Sequence, residues 1–194
     1  NSRISLSNND SNTGNTVFGY SAFNTSTDNA SDNNTVFGHN AMGTGTVAGA
    51  IYNVAVGSTA LEDITSGDYN VAIGMAGASM TTGQRNIMIG HASVNVSTDV
   101  DRVVAIGHGV MADNNVTADA DGAVGIGYGA LSVLTSSASN TAVGYQSLDA
   151  LTSGSGENTA VGYGSLGALQ TGAYNTAIGN DSLSAMNGSE SNNV

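Results

Sequence analysis

A pentapeptide of the form Asn-Thr-Ala-Val-Gly returns ten times along this chain. Its glycines are Gly19, Gly38, Gly57, Gly74, Gly90, Gly107, Gly127, Gly144, Gly162 and Gly179, spaced 16 to 20 residues apart. A period this short is one supersecondary unit, which cannot bury its own apolar side and must stack on neighbouring copies. The repeat therefore predicts an all-β parallel β-solenoid of about ten coils, with residues 1–194 forming one array. Composition narrows the partners. A formal charge of −12, with Lys and Arg totalling 3 residues, excludes a surface built for nucleic-acid phosphates or anionic lipid. The absence of cysteine excludes a disulfide scaffold and a thiolate zinc site. No apolar run approaches the ~20 residues of a membrane-spanning helix.

Within each motif the residues alternate as in a strand. The residue before the glycine is bulky in every copy: Phe18, Phe37, Val56, Ile73, Ile89, Ile106, Ile126, Val143, Val161 and Ile178. Two residues earlier stand Thr or a β-branched apolar residue, from Thr16 to Thr176. Bulk predicts that both columns face the coil interior. The position four after the glycine (Phe23, Met42, Leu61, Val94, Met111, Leu131, Leu148, Leu166, Leu183) supplies the opposing wall. The coil at Gly74 departs, with Ala78 there and Met80 two residues on. Gly-centred turns at 65–69, 81–85 and 170–174 mark the second corner. Two strands and two turns consume about 17 residues, which fits a flattened two-sheet roll.

Asparagine opens eight of the ten motifs: Asn15, Asn34, Asn53, Asn70, Asn86, Asn140, Asn158 and Asn175. Its amides can form a hydrogen-bonded ladder at the coil spacing, or serve only as turn formers that tolerate left-handed backbone. The column between the two bulky ones holds small apolar residues, including Ala55, Ala72, Ala105, Ala142, Ala160 and Ala177. Read as the outward face, it carries no charge or hydroxyl, and its neighbouring glycines suggest close approach of a second backbone. The simplest partner is another copy of the same roll, with those alanines at the interface. Both ends read as cut: Asn1 is not a start methionine, Leu6 sits in the wall position of an earlier coil, and Asn193-Val194 opens an eleventh motif.

The run Asn-Thr-Ala-Val-Gly-Tyr-Gln-Ser-Leu at 140–148, with near copies at 158–166 and 175–183, resembles the head repeats of YadA-type trimeric autotransporter adhesins. It resembles still more closely the repeats of bacteriophage tail-fibre proteins. The similarity spans residues 15–194. It implies a left-handed parallel β-roll, three chains side by side, and a part in attachment to a host or cell surface glycan or protein, hence an extracellular place on a virion tail fibre or bacterial surface. The coils here are longer than those usual in the adhesin heads, so adhesin and phage fibre both remain open.

Chemistry-bearing residues are few. All three histidines follow a motif glycine, and His91 and His108 occupy adjacent coils. In a trimer they could meet at the axis and hold a structural ion; the plainer reading is His replacing Tyr as a filler. Asp113, Asn114, Asn115, Asp119 and Asp121 are oxygen-rich but lack the Gly and Glu spacing of a calcium loop. No catalytic set and no cofactor motif stands out, so no enzyme activity is predicted. One edge carries Tyr52, Tyr69, Arg85 and Arg102 in consecutive coils, a candidate contact stripe for an acidic or sugar-bearing surface, with Asp68, Asp99 and Asp101 available to offset the arginines. Besides a structural and adhesive fibre segment, two other functions fit a solenoid. An ice-binding rod needs an outward Thr array, and the Thr column is read as inward. The non-catalytic part of a polysaccharide-degrading tailspike needs its carboxylate pair elsewhere.

Overall fold

The computed structural model describes residues 12–24, 26 and 29–194. Leu6 and Arg3 lie outside them. Ten strands of three residues follow one another: β1 Thr16–Phe18, β2 Thr35–Phe37, β3 Val54–Val56, β4 Val71–Ile73, β5 Ile87–Ile89, β6 Val104–Ile106, β7 Val124–Ile126, β8 Thr141–Val143, β9 Thr159–Val161 and β10 Thr176–Ile178. They pair in chain order into one parallel sheet. Every step is in phase with the motif, as in Thr141↔Thr159, Ala142↔Ala160 and Val143↔Val161. The fold is a parallel β-solenoid, about 43 Å from first strand to last at the usual strand spacing.

Each strand is short because both its ends are fixed in left-handed backbone. The motif glycines sit at φ between +97° and +146°. The residue before the motif Asn is left-handed as well, for example Tyr69 at +58° and Glu157 at +60°. The facing wall is built differently. Its Leu/Met/Phe/Val column has φ of 45° to 52° from Phe23 to Leu183. A chain that repeatedly enters the left-handed region cannot extend. The second side is therefore a stack of turns, with isolated bridges Ser26↔Val47 and Leu169↔Gly188 where a second sheet was expected. Coil-to-coil backbone bonds still tie the turns together, such as Leu148 N–H to Ser165 O at 3.0 Å and Thr135 N–H to Thr152 O at 2.8 Å.

The core reverses the predicted facing of the sheet. Ala55, Ala72, Ala105, Ala142, Ala160 and Ala177 are all buried within one chain, at 0–1% exposure. They point into the coil and cannot be the side chains of a trimer interface. The Thr/Val/Ile and Phe/Val/Ile columns on either side of them point outward and are half-buried or exposed. The reason is volume. Leu61, Ile64, Leu131, Leu134, Leu148, Leu151, Leu166 and Leu169 come from the turn wall and are fully buried. Two leucine-sized side chains per coil fill the narrow section, leaving room for a methyl opposite them. Two exceptions follow the same rule. Where the coil at Gly74 lacks a leucine, Met88 of the next coil lies against Gly77, whose missing Cβ would sit 3.0 Å from the Met88 Sδ and Cε. Where Val110 replaces the small residue of other coils, Gly125 replaces the alanine; a Cβ there would lie 2.6 Å from Val110 Cγ1.

The buried asparagines do form a ladder. Nδ2 of Asn53, Asn70 and Asn86 donates to Oδ1 of the preceding Asn at 3.2, 3.1 and 3.0 Å. A second run links Asn140, Asn158, Asn175 and Asn193 at 2.9, 3.0 and 2.9 Å. Val103 and Ala123 take this position in the intervening coils. The motif glycines are excluded from having a side chain by the same stacking: a Cβ on Gly144 would run into the carbonyl of Gly162. From Gly19 to Gly162, the backbone that approaches each motif glycine is thus the next coil of its own chain.

Gly144→Val therefore combines a strained φ with a backbone collision and should unfold the neighbouring coils. Thr141→Val, on the outward column, repeats what Val124 already does and should leave the melting temperature nearly unchanged. Equal melting temperatures for the two variants would contradict the stacking argument. The Val110–Gly125 pair offers a sharper measurement. Gly125→Ala alone overpacks the coil and should cost about 1–3 kcal/mol. Val110→Ala alone opens a cavity costing about 1–2 kcal/mol. The double variant recreates the Ala130–Ala142 arrangement one coil on, so denaturant unfolding should show it more stable than the sum of the singles by at least about 1 kcal/mol.

Candidate contact surfaces

The outward columns of the sheet make a continuous face. Along one row run Thr16, Thr35, Val54, Val71, Ile87, Val104, Val124, Thr141, Thr159 and Thr176, and along the other the residues from Phe18 to Ile178. None of the twenty is charged. Phe18, Phe37, Ile73, Ile87 and Ile178 are 40–71% exposed. Phe18 and Phe37 stack with ring centroids 4.9 Å apart. An uncharged β-branched sheet face of this length is unusual for a surface left to water.

An aromatic ladder borders this face just past the glycines. His91, His108, Tyr128, Tyr145 and Tyr163 form an unbroken stack, each ring 5.0–5.2 Å from the next and tilted by 6–14°. Tyr20 and His39 form a separate pair at 5.6 Å. In-phase stacking forces this geometry, since identical column positions recur at the coil spacing. His91 and His108 are exposed members of the ladder. Among the described residues no three His, Asp or Glu side chains gather as a metal-ligand set. In the oxygen-rich stretch, Ala118–Ala120 form a 3-10 turn and Asn114 Nδ2 donates to Val133 O at 2.6 Å.

The predicted stripe is a single row on the opposite edge. Tyr52 and Tyr69 stack at 5.2 Å and 11°. The Arg85 guanidinium lies over the Tyr69 ring, 5.7 Å from its centroid, and donates to Gln84 Oε1 at 3.2 Å. Arg102 is taken by Asp121 in a two-point contact, Nε to Oδ1 at 2.7 Å and Nη2 to Oδ2. Sequence reasoning offered Asp68, Asp99 and Asp101 as the counter-charges and missed Asp121, which stands one coil on, beside the position aligned with Arg102. Asp68 and Asp101 are engaged by backbone instead: their Oδ1 atoms accept from Ile51 N–H at 2.8 Å and Gln84 N–H at 2.7 Å.

Two carboxyls are shifted in opposite directions. The hydrogen bond from Arg102 holds Asp121 below the ordinary 3.8. Burial in the turn wall pushes Asp149 above it. The Asp149 shift comes from burial, with a backbone hydrogen bond opposing it, and no neighbouring charge contributes to it, so it bears on stability rather than on chemistry.

No protein-family model, no curated protein and no solved structure matches this chain.

The two shifts give pH effects of opposite sign. Asp121, lowered in the fold, stabilises above pH 3.8, and that contribution disappears as pH falls through its folded value. Asp149, raised in the fold, favours the folded state below 3.8 and loses that advantage as pH rises. Asp121→Asn should thus lower the melting temperature at pH 7, and Asp149→Asn should raise it. The Asp149 difference should close as the buffer is acidified below 3.8, and the Asp121 difference should narrow with further acidification. Shifts of the same sign in the two variants would refute the assignment.

Proposed function

We propose that the chain is a shaft segment of a trimeric extracellular fibre, structural and adhesive rather than catalytic, which holds an attachment element away from a virion or cell surface. The observation that carries this reading is the uncharged outer sheet face. It runs the length of the solenoid in register, so identical copies side by side can cover it coil by coil without a buried charge. The resemblance of the 140–148, 158–166 and 175–183 repeats to tail-fibre and YadA-type head repeats points the same way. The interface of the proposed trimer moves from the alanine column to the columns flanking it.

The outward turn of the Thr column removes one objection to an ice-binding rod, because that column was read as inward. The row of hydroxyls is nonetheless interrupted by Val54, Val71, Ile87, Val104 and Val124 in its middle, and the second row is Phe, Val and Ile throughout. The face has the chemistry of a protein contact.

Light scattering on the purified chain should return three times the 19.2 kDa chain mass. Val143→Asp with Val161→Asp places two charges per chain on the proposed interface and should yield a folded monomer. Ala142→Glu, inside the coil, should instead lose cooperative unfolding. A wild-type monomer at micromolar concentration, or a double aspartate variant that stays trimeric, would rule this interface out.

A further inference from the structure

We infer that the Tyr52–Tyr69–Arg85 stripe is a binding site for a neutral linear polysaccharide lying along the rod. The inference deepens the adhesive part of the proposed function by naming a ligand class and a place for it. Three observations carry it.

The first is presentation. Tyr52 and Tyr69 are 49% and 47% exposed although each ring is packed against a neighbour. Stacking and left-handed backbone at 57° and 58° hold them in one fixed row, so little side-chain freedom remains to be lost on binding. Arg85 is exposed and its guanidinium is oriented by the Tyr69 ring and by Gln84. Stacking turns the ring faces toward neighbouring coils, so the exposed edges and phenol hydroxyls are what a sugar chain along the rod would meet, while the planar amide and guanidinium groups offer fixed donors to paired hydroxyls.

The second is period. The two ring centroids lie 5.2 Å apart, one coil step of about 4.8 Å along the rod. An extended linear hexose polymer advances by close to that distance with each sugar, so successive units can meet successive coils in equivalent positions.

The third is charge. Arg85 and Arg102 are the described basic residues of this edge, and Asp68, Asp101 and Asp121 stand around them. Arg102 is already spent on Asp121. The stripe is balanced to slightly negative on a chain of formal charge −12. That balance disfavours uronate or sulfate polymers and leaves hydroxyl recognition as the chemistry the site offers.

The test is a glycan array carrying linear neutral hexose oligosaccharides and their uronate counterparts. It is probed with the full chain, with Tyr52→Ala/Tyr69→Ala and with Arg85→Ala, each checked by thermal unfolding and by mass in solution. The expected result is binding to neutral linear members, insensitive to salt, weakened about tenfold or more by either variant, with fold and mass unchanged. Binding confined to uronates, neutral binding that survives both variants, or no glycan binding at all overturns the inference. The outcomes separate it from the fibre reading: a trimer that binds no glycan removes the stripe alone, and a monomer that binds neutral glycan through Tyr52 and Tyr69 removes the trimer alone.

Discussion

The structure depends on a buried amide whose hydrogen bonds all run to the coil's own turn and to the coils above and below. Asn70 shows the full set. Its Nδ2 donates to Asn53 Oδ1 and to Gly83 O, and its Oδ1 accepts from both the backbone N–H and the side chain of Asn86. An asparagine amide has two donors and two acceptor sites, and all four are satisfied in a fully buried position. A shift of register by one residue would leave several of them unpaired in the core, at about 1–3 kcal/mol each. The ladder thereby locks the strands in phase, and everything outside the core inherits that phase. Backbone hydrogen bonds carry the same phase through the two coils without an asparagine, such as Gly127 N–H to Ile106 O at 2.8 Å, and the stacked rings and the close passage of glycine past carbonyl follow that phase throughout.

The places where the ladder stops obey the same accounting. Val103 and Ala123 have no side-chain polar group to satisfy, and the backbone N–H of Val103 closes the first run on Asn86 Oδ1 at 3.0 Å. The second run opens at Asn140, which has no asparagine above it. Its Nδ2 turns to Ser137, bonding both the carbonyl at 2.8 Å and the hydroxyl at 2.9 Å. Buried serines elsewhere in the core are satisfied in like manner, Ser147 and Ser165 reaching the carbonyls of Ala160 and Ala177 in the next coil. Polar atoms are thus admitted to a very narrow interior wherever a neighbouring coil supplies the partner.

Much of this was legible in the repeat. The ten strands, their parallel order, the leucine wall and the edge stripe follow from column positions alone, because in-phase stacking converts a sequence column into a spatial row. The facing of the sheet was misread, and the sequence held the means to correct it. Asn70, Val71 and Ala72 are consecutive, so an asparagine that builds a ladder inside the coil puts alanine inside and valine outside. An interior Asn ladder and an interior Val column are incompatible. Choosing the bulkier column as the core neglected the volume already supplied by residues such as Leu148 and Leu151. The paired exceptions, Met88 with Gly77 and Gly125 with Val110, were a second signal, since compensation of size occurs between side chains that share a space. The turn wall was harder to foresee. Nothing marks Leu61 or Leu148 as left-handed, because leucine ordinarily avoids that region, and the cost is met by burial in a wall that stacking over-determines.

That reversal changes what the exterior can do. With alanine outward, the solenoid would have presented a smooth, weakly adhesive strip, and most of its apolar volume would have been hidden. With alanine inward, the bulk of each motif is on the outside, in rows that the ladder keeps in step. A flat parallel sheet face of this kind is hazardous as an isolated surface, since any similar face can associate with it. The proposed side-by-side closure among identical rods would remove the hazard by covering those rows. The edge that carries Tyr52, Tyr69 and Arg85 differs in kind: its rings are exposed but interleaved with charge and bonded polar groups. The same coil period therefore generates two surfaces of different chemistry, an uncharged sheet face of Thr, Val, Ile and Phe and an edge row that is polar and aromatic, and the proposed copies of the chain and the proposed glycan would each use one of them.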